Sequence, residues 1–167
     1  MMMTAQFASA PMVRTARADG LYGIASHGRT VAPEPAHGER NRLLGALPDQ
    51  TYRDLLAQLE SVTIASRQLL VAADEPMRYV YFPRDAVVAF LIPMEDGTAA
   101  EGAMVGYEGV VGLSVFLGDG NAYEEIVGLL PGRAARLPAG AFRQAVQHSL
   151  ALQEILHRYT QAFMNQM

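Results

Sequence analysis

The sequence predicts an α+β, mainly β fold, in which a β-barrel or jelly roll is flanked by short N-terminal helices and a long C-terminal helix. Three observations predict it. Short apolar segments separated by turn residues recur about every ten residues in the middle of the chain, as in rolled antiparallel sheets. Apolar residues with helical spacing precede this region and return after it. The chain has 167 residues, half of them hydrophobic, which is enough for one packed domain and excludes disorder throughout.

Residues 1–40 show no sustained periodicity, and Gly and Pro interrupt them repeatedly. We interpret this segment as a disordered or linker-like tail. Its arginine-rich start leaves a transit peptide open as the alternative. The apolar runs, such as residues 86–94, are far shorter than the ~20 residues of a membrane-spanning helix. The sequence therefore predicts a cytoplasmic protein.

Two short helices are predicted next. Asn41 can cap a first helix that contains Leu43 and Leu44, because an Asn side chain accepts hydrogen bonds from the free N–H groups at a helix start. Pro48 and Asp49 are typical of the start of a second helix. Its apolar residues have the i, i+3, i+4, i+7 spacing of one helix face; they are Tyr52, Leu55, Leu56 and Leu59.

Alternating polarity and β-branched or aromatic residues then indicate strands. The predicted strands cover residues 62–64, 69–71, 79–82, 86–94, 100–105, 123–130 and 133–137. Asp96-Gly97 favours a tight hairpin turn between the fourth and fifth strands, because both central residues of such a turn need positive φ. A glycine-rich stretch over residues 106–121 separates the fifth and sixth strands.

Helical spacing returns after Pro138. Ser149 is a plausible cap for a long final helix that follows a first helical segment. The long helix carries one apolar stripe made of Leu152, Ile155, Leu156, Tyr159, Phe163 and Met167. Packing against the chain's own strands and pairing with a second helix are both open interpretations of this stripe.

Five segments in this order resemble the N-terminal sensor half of Crp/Fnr-type transcription regulators, which is a cyclic-nucleotide-binding-like domain. The segments are NRLLGALP at 41–48, RYVYFPRDAVVAFLIPMEDG at 78–97, VGYEGVVGLSVFLG at 105–118, RLPAGAFR at 136–143 and LHRYTQAFMNQ at 156–166. The resemblance implies a double-stranded β-helix, that is, a jelly-roll-like β-roll, over residues 41–149. It also implies that residues 150–167 begin a dimerisation helix.

In this family the glycine-rich stretch is the phosphate-binding cassette, where a Glu takes the ribose hydroxyl and an Arg-Ser pair takes the phosphate. The resemblance assigns Gly112, Leu113, Ser114, Tyr123 and Glu124 to this degenerate pocket. Leu113 stands where the Glu belongs, and Tyr123 and Glu124 stand where Arg and Ser belong. Since a carboxylate there repels a phosphate, we expect no cAMP or cGMP binding of the usual kind. Three interpretations stay open: a turn-forming loop, a pocket remodelled for another effector, and an unusual mode of cyclic-nucleotide binding.

The resemblance also implies a homodimer through the long helix. It assigns Leu152, Ile155, Leu156, Tyr159 and Phe163 to the dimer contact, at a spacing close to an a/d pattern. Packing of this stripe against the chain's own β-roll is the alternative.

Other chemistry finds little support. The chain has no cysteine, and no histidine pair has the spacing of a zinc site, so we predict no cofactor and no metal. Some relatives in the superfamily hold haem, which makes His148 or His157 a conceivable axial ligand. No Ser-His-Asp motif or nucleophile elbow is present, and we expect no enzyme activity.

Two function classes therefore remain. The first is the sensor and dimerisation half of a transcription regulator that responds to a small effector. The second is a ligand-free interaction module that forms homodimers or mixed dimers. Family members continue into a winged helix-turn-helix, and none of its recognition elements is found in these residues. With a net charge of −4 as well, we expect no DNA binding by this chain alone. A truncated regulator and a stand-alone module both fit this expectation.

Overall fold

A computed structural model describes residues 41–94 and 99–165. Three predictions lie outside the described residues: the tail over 1–40, the Asp96-Gly97 turn and the stripe residue Met167. The described helices are α1 (Arg42–Gly45), α2 (Asp49–Leu56), α3 (Leu113–Leu117), α4 (Ala139–His148) and α5 (Leu150–Met164). The described strands are β1 (Glu60–Ile64), β2 (Leu69–Val71), β3 (Tyr79–Pro83), β4 (Val87–Pro93), β5 (Ala99–Val105), β6 (Glu125–Leu130) and β7 (Gly132–Pro138).

The strands form two antiparallel sheets, with the orders β1-β7-β3 and β2-β6-β4-β5. Strands that are distant in sequence pair with each other, so the chain crosses repeatedly between the sheets. Together with the flanking helices, this arrangement confirms the predicted jelly-roll-like β-roll. Every helix in the described part of the chain falls short of the length and apolar character that a membrane-spanning helix requires.

The core is built from apolar side chains of both sheets and from the helices that cover them. Phe82 on β3 and Phe142 on α4 are both fully buried, with their ring centroids 6.2 Å apart in an edge-to-face arrangement. Burial of a side chain of this size contributes about 1.5–3 kcal/mol. Sheet and helix therefore share one core rather than forming separate layers.

Helix ends follow the predicted signals. The Asn41 side chain accepts hydrogen bonds from the N–H groups of Leu43 and Leu44, which begins α1. Pro48 and Pro138 precede α2 and α4. The Ser149 hydroxyl accepts a hydrogen bond from the N–H of Leu152 at 3.2 Å, which confirms the predicted cap of α5.

The apolar stripe of α5 packs against the chain's own β-roll. Leu152 and Leu156 are completely buried, and Ile155, Tyr159 and Phe163 are partly buried against the same core. Leu152 and Leu156 therefore cannot also line a contact with a second helix unless they leave the core. The packing favours the intrachain interpretation of the stripe over its assignment to a dimer contact.

Strand β6 begins at Glu125, two residues later than predicted. Tyr123 and Glu124 lie in a bend instead. Hydrogen bonds to Asp119 hold this bend, from the main chain of Asn121 at 2.9 Å and from the Tyr123 hydroxyl at 3.4 Å. The aromatic side chain of Tyr123 suits a strand, but its hydroxyl is bonded to Asp119, four residues earlier, within the bend.

Candidate functional site

The predicted pocket begins at a left-handed glycine. Gly112 has a φ of 118° and precedes the first turn of α3. A Cβ atom at Gly112 would lie 3.1 Å from side-chain carbons of both Met77 and Val80. Conformation and close packing both favour glycine here. The frame of a cassette, a tight glycine turn leading into a short helix, is thus present.

Leu113 and Ser114 form the first turn of α3, and both are half-buried. Val115 behind them is buried and anchors the helix to the core. Leu113 has no polar group, so the position that would hold a ribose hydroxyl in a nucleotide-binding relative has no acceptor in its side chain.

Tyr123 and Glu124 lie in the bend at the other end of the segment. Tyr123 is 64% exposed, and its hydroxyl donates to Asp119 at 3.4 Å. Glu124 is half-buried. Neither side chain carries a positive charge, so this end of the loop offers no cation to a phosphate.

The loop contains its own anion. Asp119 accepts hydrogen bonds from the main-chain and side-chain N–H groups of Asn121, both at 2.9 Å. These bonds, the main-chain bond first, hold the pKa of Asp119 below its usual range, with a further contribution from Tyr123. The N–H groups of Asn121, which could otherwise donate to a bound phosphate, therefore already donate to the Asp119 carboxylate.

Arg143 is a residue near the site that the sequence reasoning missed. It lies on α4, and its Nη2 donates to the main-chain carbonyl of Asp119 at 3.2 Å. A side chain at Gly120, which has a φ of 85°, would collide with this guanidinium. Arg143 ends the segment RLPAGAFR, but the linear sequence shows no signal that α4 folds back to this loop. A guanidinium thus reaches the loop and bonds to its backbone.

Helix α5 packs against the loop that contains Gly109, just before the cassette helix α3. The Tyr159 phenol occupies the space above Gly109, where a Cβ atom would lie 2.6 Å from its Cζ. The pKa of Tyr159 is raised to about 12, mainly because the phenol is buried. A hydrogen bond with the Val110 main chain lowers this pKa, and the charge of Glu108 raises it further. Phe163 packs on Phe90 of β4, with ring centroids 6.2 Å apart.

A second contact joins α5 to the cassette helix itself. The His157 ring meets the Phe116 ring edge-to-face, with centroids 4.9 Å apart. Of the two residues considered as haem ligands, His157 thus lies against an aromatic ring. The other, His148, has its Nδ1 2.7 Å from the Gln144 carbonyl oxygen. Among the described residues, no group of three or more His, Cys, Asp or Glu is placed to hold a metal ion.

Two cavities of about 300 Å³ each lie outside the predicted pocket. One is a groove between α2 and α4, and the other lies between the two sheets. None of Gly112, Leu113, Ser114, Tyr123 and Glu124 lines either of them. The five predicted residues thus lie on the one segment 112–124, at the start of α3 and in the bend after it, and none of them lines either cavity.

No protein-family model matches the sequence, and no curated protein does. Solved structures do match, and 355 chains share the fold, so the fold by itself does not specify a function. The N-terminal domain of a transcriptional regulator from Streptomyces coelicolor A3(2) is 23% identical, with a TM-score of 0.58 over 78% of this chain and 92% of that one. A cyclic nucleotide-binding domain from Methylobacillus flagellatus KT is 14% identical, with a TM-score of 0.61 over 77% and 76%.

The regulatory subunit of a cAMP-independent protein kinase A from Trypanosoma brucei, a mutant bound to cAMP, is 18% identical, with a TM-score of 0.62 over 72% of this chain. This chain spans 43% of the length of that subunit. The matches confirm the predicted fold, which is shared by cyclic nucleotide-binding domains and by sensor domains of transcriptional regulators.

Proposed function

We propose that this chain is the sensor and dimerisation half of a Crp/Fnr-like transcription regulator, that it acts in the cytoplasm, and that it has no catalytic role. One observation carries the proposal: α5 contacts both the cassette helix and the adjoining loop. Phe116 meets His157, and Tyr159 fills the space over Gly109. A change in the loop would therefore reach the helix to which the Crp/Fnr resemblance assigns dimerisation.

The proposal includes a pocket that does not bind cAMP in the usual way. Leu113 lacks the carboxylate that a ribose hydroxyl needs, and Tyr123 lacks the guanidinium that a phosphate needs. Asp119 already takes the N–H groups of Asn121, and its charge opposes a second anion. Arg143 is turned to the Asp119 carbonyl. We also propose that the chain does not bind DNA by itself.

Isothermal titration with cAMP tests the pocket. We expect no saturable heat from the wild-type chain, because Tyr123 offers no cation to the phosphate and Leu113 offers no acceptor to the ribose hydroxyl. Arg143→Gln is the matched control for any heat that is seen. It removes the nearby guanidinium and leaves the cassette positions unchanged, so it tells whether Arg143 alone attracts the phosphate. Micromolar binding that is lost in Leu113→Ala or Tyr123→Ala would overturn this part of the proposal.

A ligand-free interaction module is the second candidate. The packing of Tyr159 and Phe163 over the loop and the roll favours it, because the chain's own side chains fill space beside the cassette. A thermal-shift screen against nucleotides, cyclic dinucleotides and small metabolites separates the two. Stabilisation that is lost on changes at Leu113 or Ser114 supports the sensor, and no stabilisation supports the module.

A further inference from the structure

The cavity between the two sheets has the chemistry of a binding site. Its apolar wall contains Val62 and Ile64 from β1 and Leu70 from β2, and its polar wall contains Tyr81 and Arg136. It thus opens between the edge strands of the two sheets. Its volume of about 300 Å³ is at the lower end of the range for small-molecule pockets.

Strand register brings the polar groups of this cavity together. Arg136 on β7 pairs with Glu60 on β1 and with Tyr81 on β3, so the three residues form one row across the sheet. Because paired residues of an antiparallel sheet project to the same face, their side chains meet on one side of the sheet. The side chain of Arg136 is 23% exposed, while that of Glu60 is 51% exposed.

The guanidinium of Arg136 is held in a fixed orientation. Its Nε and Nη2 both bond to the same oxygen, Oε2 of Glu60, at 2.9 Å each. Its Cζ lies over the Tyr79 ring, 4.1 Å from the centroid, in a cation–π contact. A guanidinium has five N–H donors, so a group fixed through one carboxylate oxygen keeps donors for a second acceptor.

Tyr81 adds a second donor beside the first. It is buried, and desolvation raises the pKa of its phenol, although the nearby Arg136 charge and hydrogen bond lower it. The phenol is therefore neutral at physiological pH and carries a proton that it can donate. A phenol and a guanidinium next to an apolar wall are the groups that recognise a carboxylate with an apolar body.

We infer that the cavity between the sheets binds a small organic carboxylate, with its carboxylate on Arg136 and Tyr81 and its apolar body against Val62, Ile64 and Leu70. This site is separate from the cassette, because no residue of 112–124 lines it. The inference rests on the cavity and does not require the signalling role proposed above.

Benzoate is a suitable probe, with benzamide as its neutral counterpart of the same shape. We expect benzoate to cause saturable amide shifts in a ¹⁵N NMR titration of the full chain, centred on Thr63, Gln68 and Arg136, which border the cavity. Benzamide lacks the charge that Arg136 recognises, and its shifts should not saturate over the same range. Equal binding of both probes, or no saturable shift with benzoate, would overturn the inference.

Variants assign the binding to the named groups. Arg136→Gln should abolish saturation, and Tyr81→Phe, which keeps the shape of the ring, should weaken benzoate about tenfold. Glu60→Gln should tighten benzoate about fivefold, because it removes a competing negative charge.

Arg133→Gln is the matched control, since Arg133 lies on the same strand, is also paired with a carboxylate and does not line the cavity. Each variant must first show the wild-type spread of amide resonances. Unchanged affinity in Arg136→Gln, or an equal loss in Arg133→Gln, would contradict the assignment.

Discussion

Asn41 holds three parts of the chain together although it precedes a helix of four residues. The side chain is fully buried. Its Oδ1 caps α1, and its Nδ2 donates to the carbonyl oxygens of Pro83 at 2.8 Å and Gly109 at 2.7 Å. The end of β3 and the loop under Tyr159 are therefore both bonded to the start of the domain.

Asn41→Asp should destabilise the fold strongly. The substitution keeps the cap acceptor but replaces two donors with an oxygen that faces two carbonyl oxygens, and it places a charge in a buried site. We expect a loss of about 3 kcal/mol or more in the free energy of unfolding, measured by urea denaturation. Ser149→Ala removes a helix cap without long-range bonds and should cost about 1 kcal/mol. A loss in Asn41→Asp no larger than that of Ser149→Ala would contradict the role described.

Local sequence patterns predict some of the contacts that single residues make and do not predict others. The cap at Asn41 follows from its position before Leu43 and Leu44, because the N–H groups it bonds are two and three residues away. Its bonds to Pro83 and Gly109 depend on how distant loops fold back. Arg143 is the same kind of case, since its partner Asp119 lies on another element.

At the scale of elements, α5 is the helix through which the proposed dimer would form. Its inner face carries Leu152 and Leu156 into the core, while Tyr159 and Phe163 lie over the loop and the roll. Periodicity predicts the helix, its cap and its apolar stripe. It does not decide what the stripe contacts, because the same spacing suits a β-sheet surface and a second helix.

Alkaline pH should loosen α5 through Tyr159. The folded state holds the pKa of this phenol at about 12, above the usual value of a tyrosine, so the unfolded chain loses the proton first. Stability is therefore unaffected below about pH 10 and falls as the pH rises towards 12. Urea denaturation at pH values between about 10 and 12 should show that the free energy of unfolding falls less in Tyr159→Phe than in the wild type.

Tyr81 also has a raised pKa, so Tyr159→Phe should keep part of the alkaline loss. Tyr123→Phe is the control, because that phenol is mostly exposed and its removal should leave the loss unchanged. An identical pH dependence in Tyr159→Phe and the wild type would show that Tyr159 does not resist ionisation in the fold.

At the scale of the whole molecule, the proposed dimer has to use the outer face of α5. Leu150 and Met164 lie two heptads apart on this face, and His157 lies midway between them, exposed although its ring also contacts Phe116. Leu150 is 70% exposed and Met164 is 65% exposed. We therefore assign the proposed dimer contact to this face instead of to Leu152 and Leu156.

Leu150→Glu combined with Met164→Glu should give monomers at concentrations where the wild type is dimeric, as measured by light scattering over a dilution series. One acidic side chain at each end of the contact would repel its copy on the partner helix. Leu130→Glu changes an exposed leucine of β6 and should leave the dimer intact. A wild type that is monomeric throughout, or a double variant that stays dimeric, would refute a dimer through this face.

The sequence predicts the whole fold better than the site within it. The spacing of apolar residues along the chain predicts the order of helices and strands. Five segments that each resemble the family only weakly are enough, in this order, to indicate the β-roll. The chemistry of the site depends on side chains such as Arg143 and Tyr159, which reach the cassette loop from helices that follow it. The cavity at Arg136 and Tyr81 likewise arises from strand register and has no motif of its own.

The central place of β7 has a consequence for synthesis on the ribosome. Strands β1 and β3 both pair with β7, which is made after all the other described strands. At ordinary translation speeds, β1 and β3 wait several seconds for their shared neighbour. During that time Val80 and Phe82, which are completely buried in the finished domain, have no sheet to join in the nascent chain. Protection by a chaperone should matter most in this interval and end once residue 138 has left the exit tunnel.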